Sequence, residues 1–189
     1  YTSIYHLYIQ PNNIADVDGR YVGPSREISQ STTGKHYSTL SQWDTFRAAF
    51  PMYTILSPEI ISDLINSFVD YSEQKGHLPI GALMGQETYT MISNHSISMI
   101  VDAYLKGFEG FDAERAYREI KRSITESTHP KTDWKVYDQY GYYPYDLIKF
   151  ESVSRTLECG FSDYAAAQMA KKLGKTEDYE FFMKRSGYY

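Results

Sequence analysis

The sequence predicts an all-α chain assembled from helical hairpins. Three observations carry the prediction. Apolar residues recur at three- and four-residue spacing in segment after segment. Ser, Asp, Thr, Pro and Gly stand where those segments start and stop. Alternating apolar–polar runs, the mark of strands, are scarce. Short turns and long polar loops alternate between the helices, the pattern of antiparallel helix pairs with their long loops gathered at one end, as in an α-hairpin array or an α/α toroid. No exact short repeat is present, which disfavours a regular solenoid. A length of 189 residues suffices for one sizeable core, so residues 1–189 read as a single all-α domain.

Taken in order, residues 1–10 place Ile4, Leu7 and Tyr8 at helical spacing, and a helix should close before Pro11. "PNNIADVDGRYVGPSREISQSTTGK" is a long polar loop in which Asp18-Gly19 favours a short hairpin. "DTFRAAF" should form a short helix ending near Pro51. "SPEIISDLINSFVDYSEQKG" is the clearest helix: Ser57 caps it, Pro58 opens it, Gly76 stops it, and Ile61, Leu64, Ile65 and Phe68 share one face. "HLPIGALMGQE" is a loop, and "TMISNHSISMIVDAYLKG" a largely apolar, buried helix. Asp112 caps the charged, amphipathic "AERAYREIKRSITES". "THPKTDWKVYDQYGYYPYDL" reads as a Tyr-dense loop. "SVSRTLECGFSDYAAAQMAKKLG" is a helix with Val153, Leu157, Phe161 and Tyr164 or Ala165 on one side, and Thr176 caps the last helix, "EDYEFFMKRSG".

Composition narrows the function classes. Hydrophobic residues make up 42%, a globular value that argues against disorder. The net charge of −5 argues against general nucleic-acid binding, which needs a basic patch. No apolar run reaches the roughly 18 residues of a membrane span. Cys159 is the one cysteine, so neither an internal disulfide nor a Cys-based metal site arises, and a lone helical Cys reads as a small buried hydrophobe. The 19 Tyr, with apolar bodies and polar tips, suit half-wet cavities as well as amphipathic helix packing. The chain opens "YTSIYHLYIQ", with neither Met nor a signal-type apolar run, and reads as an excerpt of a longer polypeptide.

Within "HYSTLSQWDTFRAAFPM", Trp43 and Asp44 stand at the mouth of a helix. Asp44 has the chemistry of an N-cap, its carboxylate accepting the first free backbone N–H groups. The same pair also suits a sugar, with the ring against the indole and the acid on hydroxyls. Arg47, three residues on, is placed to pair with Asp44 and orient it. Glu87 precedes the next helix and either caps the turn at Thr90 or faces a cavity. His95 lies between Met91 and Met99 on an apolar helix, where a satisfied core histidine is the plain reading. Asp16 and Asp18 have the alternate spacing of a calcium loop, but Tyr21 occupies the sixth position, where an EF-hand requires Gly, and a turn at Asp18-Gly19 explains them better. Glu151 and Glu158 lie seven apart near one helix face; solvation is the default, with Glu158 bracing neighbouring helices.

Five stretches in order, "YHLYIQPNNIADVDGRYVG", "YSTLSQWDTFRAAFP", "GQETYTMISNHSISMIVDAYLKG", "GYYPYD" and "ESVSRTLECGFSDYAAAQMAKKLG" with its following "DYEFFMKRSGYY", resemble the catalytic domain of the family-92 glycoside hydrolases, bacterial exo-acting α-mannosidases. The resemblance spans nearly the whole chain. It implies the N-terminal part of an (α/α)6 barrel, in an enzyme that removes terminal α-linked mannose from mannans or N-glycans with inversion and uses a bound calcium ion. It makes Trp43, Asp44, Arg47, Glu87 and His95 substrate-binding candidates, His95 in a barrel-lining position. Ser93 and Asn94 stand where the family shows Gly-Tyr, Ser162 replaces an acid, and Phe50 a His. The family's His-Gly-Asn-Glu-Pro and Gly-Asn-Asp-Asp stretches, which hold its acid and base, do not occur here. No catalytic residue and no metal ligand is therefore assigned, and calcium's ligands are expected outside this segment. The excerpt alone should be inactive, and half a toroid should expose an apolar face and self-associate. By the same resemblance the enzyme would act in the periplasm, at the cell surface or secreted. A non-catalytic helical carbohydrate-binding or interaction module is the alternative.

Overall fold

The computed structural model describes residues 1–188 and shows a predominantly helical chain with three small antiparallel sheets. Tyr189, which ends the last of the quoted stretches, lies outside the described residues. Helix α1 (Thr2–Leu7) precedes a polar segment that holds strands β1 (Asn12–Asn13), β2 (Arg20–Val22), β3 (Ile28–Gln30) and β4 (Tyr37–Ser38). The expected hairpin is present but displaced. Tyr21 faces Ser29, so the pair closes through residues 23–27, while the Asp18-Gly19 turn stands ahead of it, with Gly19 N–H donating to Asp16 O at 2.9 Å.

Strand β5 (Leu40–Ser41) runs directly into α2 (Gln42–Thr45), and α3 spans Ala49–Leu56. The helix expected to end near Pro51 is thus two helices, and the second passes through Pro51. The proline sits in the first turn of α3, where a backbone N–H has no intrahelical partner to lose. Helix α4 (Ile61–Lys75) follows a 3-10 turn at Pro58–Ile60 and ends at Gly76 in the left-handed conformation. Its Ile61, Leu64, Ile65 and Phe68 are all buried. Ser57 does not cap it; its Oγ lies 3.0 Å from Tyr8 Oη instead.

Strands β6 (Gly81–Leu83) and β7 (Gln86–Glu87) complete a three-stranded sheet with β5, Leu40 facing Ala82 and Ala82 facing Glu87. Met84 and Gly85 make the two-residue turn, with φ of 49° and 78°. Only glycine fits second, because a Cβ there would stand 2.8 Å from Val22 O. Helix α5 (Ser96–Leu105) starts later than expected, and 90–94 are not helical. Ser93 adopts a φ of 58°, and Asn94 Nδ2 donates to Leu78 O at 2.8 Å. Such side-chain bonds compete with the helical backbone pattern.

Asp112 caps α6 (Ala113–Thr125) as read, Oδ1 accepting Arg115 N–H at 3.0 Å. The Tyr-dense loop contains α7 (Trp134–Tyr140), which propensity alone does not announce. Seven residues are too few for a helix to persist unaided, and tertiary contacts hold it. Tyr137 packs on Tyr143 with ring centroids 5.4 Å apart, and its hydroxyl donates to Arg185 O at 3.2 Å.

Helix α8 (Ser152–Lys172) is followed by α9 (Thr176–Arg185), whose cap position belongs to Lys175; Thr176 is already helical. Ala166, Ala167 and Ala170 let α8 approach its neighbours closely, and Met169 and Phe182 close the core beside Ile97, Ile100 and Ile120. The apolar row of α8 shares one side, as read, and that side is turned outward. Val153 is 73% exposed, Leu157 51%, Phe161 45% and Tyr164 50%; of the residues named, only Ala165 is buried. The side that faces the body carries Arg155, Thr156, Gly160 and Asp163. Burial of these polar groups is made possible by partners on α9 and the preceding loop, as Arg185 is for Asp163.

Candidate functional site

The β5–α2 junction fixes the first residues of the site. Strand β5 is paired to β6, so α2 leaves the sheet in a set direction and carries Trp43 and Asp44 with it. The indole N–H of Trp43 donates to both carboxylate oxygens of Glu158, at 3.0 and 3.1 Å. His95, at the start of α5, places Nε2 3.1 Å from Glu158 Oε2, and its ring lies flat on Phe46 with centroids 3.8 Å apart. Arg47 lies over the rings of Trp43 and Phe46, at 4.3 and 4.6 Å, and its Nη2 is 4.0 Å from Glu158 Oε1. It also donates to Trp43 O.

Three of the residues singled out in the sequence, from two segments some fifty positions apart, therefore meet at one carboxylate on α8. The pairing of Arg47 is a correction. Spacing placed it beside Asp44, but two aromatic faces and the shielded Glu158 attract its guanidinium more strongly than a hydrated carboxylate does. The cap assigned to Asp44 is also corrected. Asp44 lies inside α2, whose cap position is Ser41, and among the described residues nothing donates a hydrogen bond to its carboxylate. Asp44 is exposed and unengaged beside a held cluster.

Glu87 is placed differently. Its carboxylate accepts the backbone N–H groups of Ile80 at 2.9 Å, Gly81 and Thr88 at 3.0 Å, and Tyr89 at 3.4 Å. It ties the β6–β7 hairpin to the residues just before and after it, and no bond runs from it to Thr90. A cleft of about 200 Å³, lined by Gln10, Thr39, Ser41, Gly81, Thr88 and Thr90, opens where this sheet meets the start of α2.

Glu158 is the residue that sequence reasoning undervalued. It braces, as expected, but what it braces is the cluster itself. A signal was present: Ser154, Glu158 and Ser162 form a polar row at spacing four beside the apolar row Val153, Leu157 and Phe161. Ser162 Oγ lies 3.2 Å from Ser93 Oγ, and Ser93 Oγ donates to Glu158 O, also at 3.2 Å.

Other candidates are inert by environment. Asp18 is bound by the Arg20 backbone N–H and guanidinium, which hold its carboxyl below the usual range. Burial pushes the Cys159 thiol up to about 11, with the sulfur against Tyr143 Oη at 3.5 Å, so it remains protonated and a poor nucleophile. His36, stacked on Tyr21, is driven down to about 4 by burial and stays neutral. Among the described residues no three of His, Cys, Asp and Glu gather to hold a metal ion. No helix among them is long and apolar enough to cross a membrane.

A family model and solved structures point to one family. The model of the glycosyl hydrolase family 92 catalytic domain matches residues 1–189. A family GH92 alpha-mannosidase from Bacteroides thetaiotaomicron, solved in complex with mannoimidazole, is 37% identical and superposes with a TM-score of 0.93, covering 100% of this chain and 25% of its own. A family GH92 inverting mannosidase from Bacteroides thetaiotaomicron is 27% identical, with a TM-score of 0.89, over 100% of this chain and 26% of its own. An uncharacterized secreted glycosidase of Arthroderma benhamiae is 27% identical over 147 residues, 69% of this chain and 18% of that protein. The chain thus spans about a quarter of the solved relatives and less of the curated one.

Proposed function

This chain belongs to the glycosyl hydrolase family 92 catalytic domains, and from that premise we propose that it is the sugar-recognition portion of a longer enzyme that removes terminal α-linked mannose from mannans or N-glycans with inversion. Its helical hairpins form part of an (α/α)6 toroid. The observation that carries the reading is the free carboxylate of Asp44 beside an indole fixed by Glu158. A pyranose binds such a pair through its apolar face on Trp43, with hydroxyls donating to Asp44. Arg47, held across the rings, would donate to ring or hydroxyl oxygens. His95 acts through its contacts with Glu158 and Phe46, and Glu87 by holding the sheet from which α2 emerges.

Inverting hydrolysis needs an acid and a base roughly 6.5–9.5 Å apart, one protonating the departing oxygen and the other activating water. Both oxygens of Glu158 are already engaged by Trp43 and His95. Asp44 has no partner carboxylate assigned to it. The acid and base belong, in this reading, to the part of the enzyme this chain does not span. Calcium is treated in the same way. The ion takes six to eight oxygens, and the described residues offer no cluster of three acidic or His ligands. They do not fit it, so no step is routed through it here, and its ligands are placed elsewhere in the enzyme. The name of the Arthroderma benhamiae relative supports a secreted enzyme.

The enzyme containing this segment should cleave an aryl α-mannoside, release β-mannose first by proton NMR, lose activity on chelation and regain it with Ca²⁺. Intact substrate under these conditions would remove the mannosidase reading. Appearance of α-mannose first would remove inversion alone, and indifference to chelator would remove the metal.

As a separate polypeptide the chain should show no hydrolysis and should associate with itself. The row Val153, Leu157, Phe161 and Tyr164, exposed on α8, is the surface expected to seat further helices of the toroid. Sedimentation velocity checks this directly: a concentration-independent monomer at tens of micromolar would contradict it.

A further inference from the structure

Resting on the mannose-site reading above, we infer that Glu158 is the positioning residue of this site: it sets the orientation of Trp43, Arg47 and His95 at once and acts on the sugar only through them. Its backbone is fixed in the 21-residue α8, and its side chain is 18% exposed, so its carboxylate is shielded without being sealed. One oxygen accepts from the Trp43 indole at 3.0 Å and faces the Arg47 guanidinium at 4.0 Å. The other takes His95 Nε2 and the same indole, each at 3.1 Å.

The choice of side chain follows from this donor set. A carboxylate offers about four lone-pair sites and no hydrogen, so it can receive the indole, the imidazole and the cation together. No neutral side chain at 158 does so without presenting a donor to one of them. His95 Nδ1 is buried with no partner among the described residues. The cost of the orphaned nitrogen is accepted for a bond that pins His95 flat against Phe46, the ring that also carries Arg47. Removing Glu158 frees the indole about χ1 and χ2, lets Arg47 swing toward solvent and leaves Asp44 beside an unfixed wall. The carboxylate of Asp44 itself is untouched, so the loss falls on binding common to ground and transition states, which raises KM with kcat nearly preserved.

The test uses the full-length enzyme. Glu158→Ala should raise KM for an aryl α-mannoside about 10- to 100-fold, in the range by which supporting residues tune a site, with kcat within about threefold. Glu158→Gln keeps the acceptor for Trp43 and can donate to His95 in its other tautomer, so it should recover most of the loss. Should Glu158→Ala fail to fold, Glu158→Asp retains the charge but withdraws it by one methylene, and a several-fold rise in KM is expected there. The Trp43 indole N–H proton resonance should move upfield in the Ala variant, which general loosening elsewhere would not produce. Wild-type KM in a folded Glu158→Ala or Glu158→Asp, with Asp44→Ala impaired in parallel, would overturn this inference alone. Wild-type behaviour of both the Glu158 and Asp44 variants would overturn the site reading beneath it.

Discussion

Asp44→Ala in the full-length enzyme should lower kcat/KM on terminal α-mannosides by about 10²- to 10⁴-fold while leaving the melting temperature unchanged. The two halves of this expectation have one cause. Among the described residues the Asp44 carboxylate bonds nothing, so the fold owes it no hydrogen bond and no ion pair. Whatever it does, it does for a ligand. A hydrogen bond to a charged group contributes about 1.5–3 kcal/mol, and a carboxylate that takes two sugar hydroxyls loses both on truncation, which sets the size of the effect. Asp44→Asn, with one acceptor and one donor group in the same shape, should fall between. Steady-state kinetics and thermal unfolding on the same samples check the claim. Activity within threefold of wild type would remove Asp44 from the site. A large drop in melting temperature would mean that the residue has a structural partner after all.

How much of this is legible in the sequence depends on the range of the forces concerned. The apolar period of Ile61, Leu64, Ile65 and Phe68 gave α4, and the cap at Asp112 gave the start of α6, because both are written within a few residues. Helix α7 is not legible there because its stability comes from Tyr143 and the carbonyl of Arg185, the latter far along the chain. That the apolar row on α8 is exposed is not legible for a related reason. Periodicity finds an apolar face but not what covers it, and the alanines of α8 pack more tightly against α5 and α9 than its larger side chains would. At the site, Trp43, Arg47 and His95 could be named from the sequence. Their common partner could not be, since Glu158 lies 115 positions from Trp43 and 63 from His95. Local spacing offered Arg47 a carboxylate at Asp44, and tertiary structure offered a better one.

Asp163→Ala should show the opposite balance: a loss of about 3–5 kcal/mol of stability, from a residue with no place in the sugar site. Asp163 on α8 and Arg185 on α9 meet through two bonds, Nε to Oδ2 at 2.7 Å and Nη2 to Oδ1 at 2.6 Å. The carboxylate is 1% exposed and the guanidinium 3%. Arg185 Nη2 also donates to Ile124 O at 3.1 Å, so the pair joins α6, α8 and α9. Two opposed terms decide the outcome. Bringing both charges out of water is costly, so the intact pair adds little net stability, but removal of one partner strands the other charge in the core, at about 3–5 kcal/mol. For a chain of this length that is a fall of roughly 6–20 °C in melting temperature. The double variant Asp163→Leu with Arg185→Met removes both charges at similar volume and should recover most of the loss. Circular dichroism melts of the single and double variants separate the terms. A single variant within about 1 kcal/mol of wild type would show that water reaches Arg185 and that the junction of these three helices is looser than the packing implies. The comparison also explains why the polar side of α8 faces inward: Asp163 must meet Arg185, and a helix turned by this requirement presents Leu157, Phe161 and Tyr164 on the outer face.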